Sequence, residues 1–113
     1  IVSNHGGRQL EAAPPAIDAL PAVVDAVGIA AKVMFDSGIR SGIDVVRAMA
    51  LGAEFVFSGR PFMYGLGALG AAGPGFVADF YAEEISAAMR QIGTPSFAEA
   101  RDLTIRHPGA LSF

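Results

Sequence analysis

Ala31-Lys32-Val33-Met34-Phe35-Asp36-Ser37-Gly38-Ile39-Arg40-Ser41-Gly42 is the stretch on which the fold turns. An apolar run stops at Asp36-Ser37-Gly38, and a helix-start signal follows at once, Ser41 with Asp44 at the third helical position. Ile43, Val46, Met49 and Ala50 then mark one apolar face up to a stop at Gly52. A short, continuously apolar strand feeding a glycine loop and then a helix is the signature of a buried parallel strand.

The same order recurs on both sides. Upstream, Ile1-Val2-Ser3 reads as a strand that ends at Asn4-His5-Gly6-Gly7. From Pro14 onward Ile17, Leu20, Val23, Val24 and Val27 keep helical spacing up to Gly28, with Pro21 blurring the start. Downstream, Glu54 to Ser58 predicts a third strand ending at Gly59-Arg60-Pro61, and Phe62 to Leu69 a short helical or turning segment broken by glycines. Ala71 to Gly75 reads as a connector and Phe76 to Ile92 as the longest helix. Ser96 with Glu99 caps a last helix from Phe97 to Arg106, closed by His107-Pro108-Gly109. Strands alternating with helices at steps of roughly 20 to 30 residues predict an α/β fold with a parallel sheet.

Size and charge bound what such a fold can be. At 113 residues the chain is one domain and is too short for eight strands with their helices. Three parallel strands alone would leave two unpaired edges. The chain opens on Ile1 with a strand already under way, so a preceding segment is expected. Eight basic against eleven acidic residues give a formal charge of -3, with no cluster of Lys or Arg, which argues against nucleic acid as a partner. Without Cys there is no disulfide framework, thiolate metal site or thiol nucleophile, and a cytoplasmic location is the expectation. No apolar run approaches the roughly 20 residues that span a bilayer.

Loops at the C-terminal ends of parallel strands converge on one rim, where α/β proteins bind ligands. The first loop carries Ser3, His5 and Arg8, a group that exchanges a proton near neutral pH beside one that grips a carboxylate with two hydrogen bonds. The plainer alternative makes His5 and Arg8 ordinary loop residues. The second loop, Asp36-Ser37-Gly38-Ile39-Arg40, leads into a helix whose N-terminal amides can receive an anion. The third adds Gly59 and Arg60. Adjacent strand ends that each offer a glycine amide and an arginine suit a phosphate. The alternative there is that Arg40 or Arg60 simply bridges Asp36, Asp44 or Glu54.

Taken together, Ser3-Asn4-His5-Gly6-Gly7-Arg8-Gln9-Leu10, Asp36-Ser37-Gly38-Ile39-Arg40-Ser41-Gly42 and Gly59-Arg60-Pro61-Phe62-Met63-Tyr64-Gly65 closely resemble the C-terminal part of the FMN-dependent 2-hydroxy acid dehydrogenases and oxidases. That family includes glycolate oxidase, lactate oxidase, L-lactate dehydrogenase and mandelate dehydrogenase. The resemblance covers essentially the whole chain. It implies residues 1–113 as about strands six to eight, with their helices, of a (β/α)8 TIM barrel. It implies His5 as the base and Arg8 as the substrate carboxylate clamp. Ser3 would lie at the flavin, and Asp36, Ser37, Gly38, Ile39, Arg40, Gly59 and Arg60 would surround the FMN ribityl phosphate. The implied reaction oxidises an (S)-2-hydroxy acid to a 2-keto acid and passes electrons to oxygen, a quinone or a cytochrome.

Ser37 stands where glycine is common, as in the lactate and mandelate dehydrogenase branch, and Glu11 where Asp is frequent. The family's flavin-contacting lysine, substrate-binding tyrosines and histidine-orienting carboxylate lie in its earlier part, so this chain alone is expected to be inactive. A full-length protein is expected to form homo-oligomers and, in some relatives, to sit peripherally at the inner membrane through an upstream segment. The competing reading is a non-catalytic half-barrel module that binds phosphate or flavin without oxidising anything.

Overall fold

A computed structural model describes residues 1–103 and 105. Strand β1 (Met34–Asp36) pairs in parallel with β2 (Phe55–Phe57), in the register Met34 to Phe55, Phe35 to Val56 and Asp36 to Phe57. The predicted first strand is present only as a parallel bridge between Val2 and Phe35. It is held by Val2 N donating to Met34 O (2.8 Å) and Asp36 N donating to Val2 O (2.9 Å). Three chain segments thus lie side by side in sequence order, as successive βα units require.

Helix α1 (Ala16–Val27) precedes β1 and carries Pro21 inside it, and Gly28 closes it at φ 54°. Helix α2 (Gly42–Ala50) starts as the sequence predicts, with the Ser41 hydroxyl accepting from Asp44 N. It stops two residues before Gly52. The fully buried Phe35 and Leu20 (1% and 0% exposed) lie at the centre of the core, with Val33, Ile39, Val45, Ala48 and Ala53 around them. Among the described residues no helix is long and apolar enough to cross a membrane.

Three boundaries differ from the sequence reading. Helix α3 (Arg60–Leu69) is continuous, and Pro61 in its first turn suits a helix start because no amide is needed there. The supposed connector before the longest helix is a 3-10 turn (Gly70–Ala72) followed directly by α4 (Gly73–Ile92). Its glycines serve packing: a methyl group on Gly73 would overlap the Gly65 carbonyl, so the backbones of α3 and α4 touch there. Helix α5 spans only Phe97–Ala100. Beyond it Arg101, Asp102 and Leu103 donate to carbonyls three residues back, which tightens the chain out of α geometry, while the Arg101 guanidinium is drawn to the carbonyls of Met49 and Ala53. The predicted stop at His107-Pro108-Gly109 lies outside the described residues.

The helices clothe one face of the sheet. Phe35 points into them, whereas Phe55 and Phe57 share the other face and are 55% and 40% exposed, their rings edge to face at 5.0 Å.

Candidate functional site

All three strand-end loops open on the same rim. His5, Arg8, Asp36, Ser37, Gly38, Ile39, Arg40, Gly59 and Arg60 line one open cleft of about 350 Å³, together with Gly6, Phe57, Ser58, Pro61 and Met63. Ser3 completes the sequence-predicted set from behind, where its hydroxyl donates to Asp36 Oδ2 at 2.6 Å. A larger hollow of about 650 Å³ adjoins it along Gly6, Ser37, Gly38, Ile39 and Arg60, but most of its wall is apolar and it reaches neither His5, Arg8 nor Arg40.

The first loop is fastened to the end of β1 by side-chain bonds. Ser37 Oγ accepts from the amides of Asn4 (3.3 Å) and Gly6 (3.2 Å) and donates to Asp36 Oδ2 (3.1 Å). Asn4 closes the turn from within, its Oδ1 accepting from Gly6 N (2.9 Å) and its Nδ2 donating to Pro14 O (3.0 Å). The loop's carbonyls and amides therefore spend themselves on shape. His5, Arg8 and Ser37 are the described non-glycine residues with positive φ, at 55°, 35° and 88°. Such backbone costs of order 1 to 2 kcal/mol per residue and persists where surrounding bonds over-determine it. All three lie on this cleft.

Because Ser37 combines strain with a bonding role, its substitutions should separate the two. Ser37→Ala keeps the left-handed backbone and loses three bonds, and is expected to lower unfolding stability by about 1 kcal/mol in urea titrations. Ser37→Gly loses the same bonds but relieves the backbone, so its midpoint should lie closer to the parent's.

The electrostatics are one-sided. Asp44 pairs with Arg47 (3.4 Å) and Glu54 with Lys32 (3.2 Å). Asp36 is engaged by the hydroxyls of Ser3 and Ser37. Arg8, Arg40 and Arg60 consequently have no carboxylate partner among the described residues, which removes the reading in which Arg40 or Arg60 merely bridges a neighbouring acid. The loops also meet directly: the Arg60 guanidinium lies against Gly6, and a methyl group there would stand 2.8 Å from its Nη2.

The N-terminus of α2 is partly occupied by side chains. Gly42 N donates to Glu84 Oε2 (2.6 Å), Asp44 N to Ser41 Oγ (3.3 Å), and Arg40 N just before the helix to Asp44 Oδ2 (3.1 Å). An anion would meet two acidic caps there. On this rim the start of α3 is open as well, since Gly59 provides no side-chain cap and Gly59 and Arg60 border the cleft. Ile39 borders the cleft but is only 4% exposed, and its carbonyl accepts from Ser58 Oγ (2.9 Å). What sequence reasoning missed is a tyrosine. Tyr81 of α4 has the spacing of an ordinary core residue, yet its hydroxyl lies 3.0 Å from Ser58 Oγ and 3.4 Å from Ile39 O. Burial pushes this phenol above its ordinary value of 10.0, against a smaller downward pull from Ser58, so the hydroxyl remains protonated.

Parallel βα units whose strand-end loops bring three guanidiniums, glycines and a histidine to one rim have the layout of the ligand-facing side of an α/β barrel. The chain belongs to the FMN-dependent dehydrogenase family, whose model matches residues 1–107. It is 48% identical over 107 residues to L-lactate dehydrogenase of Vibrio cholerae serotype O1, covering 94% of this chain and 28% of that protein. It is 45% identical over 105 residues to L-lactate oxidase of Lacticaseibacillus rhamnosus, covering 93% and 28%. A mandelate oxidase variant carrying a monooxide FMN adduct superimposes with a TM-score of 0.85 at 48% identity, covering 91% of this chain and 33% of the other. The chain thus spans about a third or less of each of these relatives and corresponds to part of their barrel.

Proposed function

We propose that this chain supplies the phosphate-gripping and proton-accepting rim of an FMN-dependent enzyme that oxidises a lactate-like (S)-2-hydroxy acid to its 2-keto acid. The observation that carries this is the cleft's charge: three guanidiniums from three strand ends, none with a carboxylate partner among the described residues, beside a histidine whose imidazole has no partner among them either. Unpaired cations at close quarters repel one another, so such a cleft is most stable with a polyanion in it.

The donor set fits FMN. Arg40, Arg60 and the open start of α3 would hold its phosphate, and Ser3 with Asp36 would lie along the polyol, whose hydroxyls suit a carboxylate acceptor. When bound, a flavin supplies a two-electron acceptor. Arg8 would fix the substrate carboxylate through its two-pronged donor face. His5 would take up a proton, from the α-carbon if hydrogen leaves as a proton or from the hydroxyl if it leaves as hydride. The turn that forces positive φ on His5 and Arg8 aims both side chains from one rigid loop, which lowers the ordering cost of binding. The electrons would pass on to oxygen, a quinone or a cytochrome.

One observation favours a narrower reading for the chain by itself. Among the described residues the His5 ring has no hydrogen-bond or carboxylate partner to orient it, so the chain alone would grip phosphate without turnover. FMN titration separates the readings. Arg40→Ala and Arg60→Ala should each weaken FMN about tenfold, the value of one charge-assisted contact. Mixing the chain with a preceding five-strand segment and FMN should then permit bleaching of the flavin by lactate, glycolate or mandelate. Binding without bleaching selects the module, and equal binding by the arginine variants removes the proposed phosphate site.

A further inference from the structure

The second and third loops arise from different strands, and their ladder stops at Asp36 and Phe57. Past that point a short relay holds them together. Ser58 Oγ donates to Ile39 O at 2.9 Å, and with its proton so committed it accepts from the Tyr81 hydroxyl at 3.0 Å; Tyr81 also approaches Ile39 O at 3.4 Å. Tyr81 is 8% exposed, and Phe62 from the first turn of α3 meets its ring edge to face at 6.0 Å. One buried phenol therefore touches both loops and the helix start that follows the third.

The bonded atoms have leverage. Ile39 C=O and Arg40 N–H belong to one planar peptide unit, so pinning the carbonyl fixes the plane from one side while Asp44 Oδ2 holds the amide from the other at 3.1 Å. The direction in which Arg40 leaves the backbone follows from that plane. Ser58 directly precedes Gly59 and Arg60, so the same relay sets where the third loop begins. We propose that Tyr81 is a positioning residue that locks the Gly38–Arg40 and Ser58–Arg60 loops into one preformed cradle for a phosphate monoester, acting through Ser58 and the Ile39 carbonyl without touching the ligand.

The proposal rests on the phosphate-site reading above, and the test keeps the two apart. Tyr81→Phe retains the ring and its contact with Phe62 and removes only the hydroxyl; Ser58→Ala breaks the relay from its other member. In the 113-residue chain without ligand, both variants are expected to speed backbone amide exchange in both loops, at Gly38, Ile39, Gly59 and Arg60, while the α1 and α2 amides keep their parent rates. FMN affinity should fall about fivefold in Tyr81→Phe, whereas riboflavin, the same ring system without phosphate, should bind as before. A purely structural role would weaken both ligands together. Parent exchange rates in both loops of Tyr81→Phe, or parallel losses for FMN and riboflavin, would overturn the positioning role. If the parent chain discriminates not at all between FMN and riboflavin, the phosphate-site reading fails, and loop exchange alone then decides whether Tyr81 organises these loops.

Discussion

His5→Ala, placed in a flavin-loaded enzyme that contains this rim, is expected to lower turnover by about a thousandfold while leaving FMN bound. The magnitude is that of losing a positioned general base. The separation of effects follows from the geometry: the imidazole has no protein partner among the described residues, and the first loop is held by Ser3, Asn4 and Ser37, none of which bonds to the His5 ring. The loop backbone at φ 55° would survive the truncation poorly only if the side chain itself supported it. Steady-state turnover of lactate, glycolate or mandelate and flavin absorbance of the purified protein give the two readings. Turnover equal to the parent's would remove His5 from the mechanism, and loss of flavin would make it a structural residue.

The second large effect is on folding. Gly42 opens α2 where α4 passes over it, and a methyl group there would stand 2.5 Å from Glu84 Cβ, 2.6 Å from Ile85 N and 2.7 Å from Tyr81 O. Two of those three atoms are backbone, so no side-chain rotation relieves the overlap and the helices must part. Gly42→Ala is expected to cost about 3 kcal/mol, the upper end for overpacking a close contact, read as a lower midpoint in urea with an unchanged slope. It should also loosen the Gly42 N to Glu84 bond and carry Tyr81 away from Ile39, so phosphate binding should fail before the fold does. An unaltered midpoint would mean that α4 is not seated as described.

Legibility from sequence divides along physical lines. The start of α2 could be read because its cap is local: Ser41 and Asp44 satisfy each other within one turn, and nothing distant is needed. The rim could be read for a related reason, since glycine-stopped apolar runs fix where parallel strands end, and the arginines and histidine sit within a few residues of those stops. The start of α4 could not be read, because Gly73 is glycine on account of Gly65, eight positions away and on another helix. Propensity marks such glycines as breakers, while the close approach of two backbones makes them helical. Glu84 and Tyr81 were hidden by the same non-locality: each acts on an amide, hydroxyl or carbonyl more than twenty residues earlier. A tyrosine at an apolar helical spacing carries a hint in its hydroxyl, which needs a partner when buried. Which partner it finds is decided only by the crossing of α4 over the loops.

The uncovered side of the sheet sets two demands against each other. The rings that Phe55 and Phe57 hold toward water are the surface against which additional strands would seat, so polar replacements that improve handling of the isolated polypeptide would spoil its capacity to be completed by a complementary piece. Dispersibility and reconstitution are thus properties of the same two aromatic positions, traded one for the other.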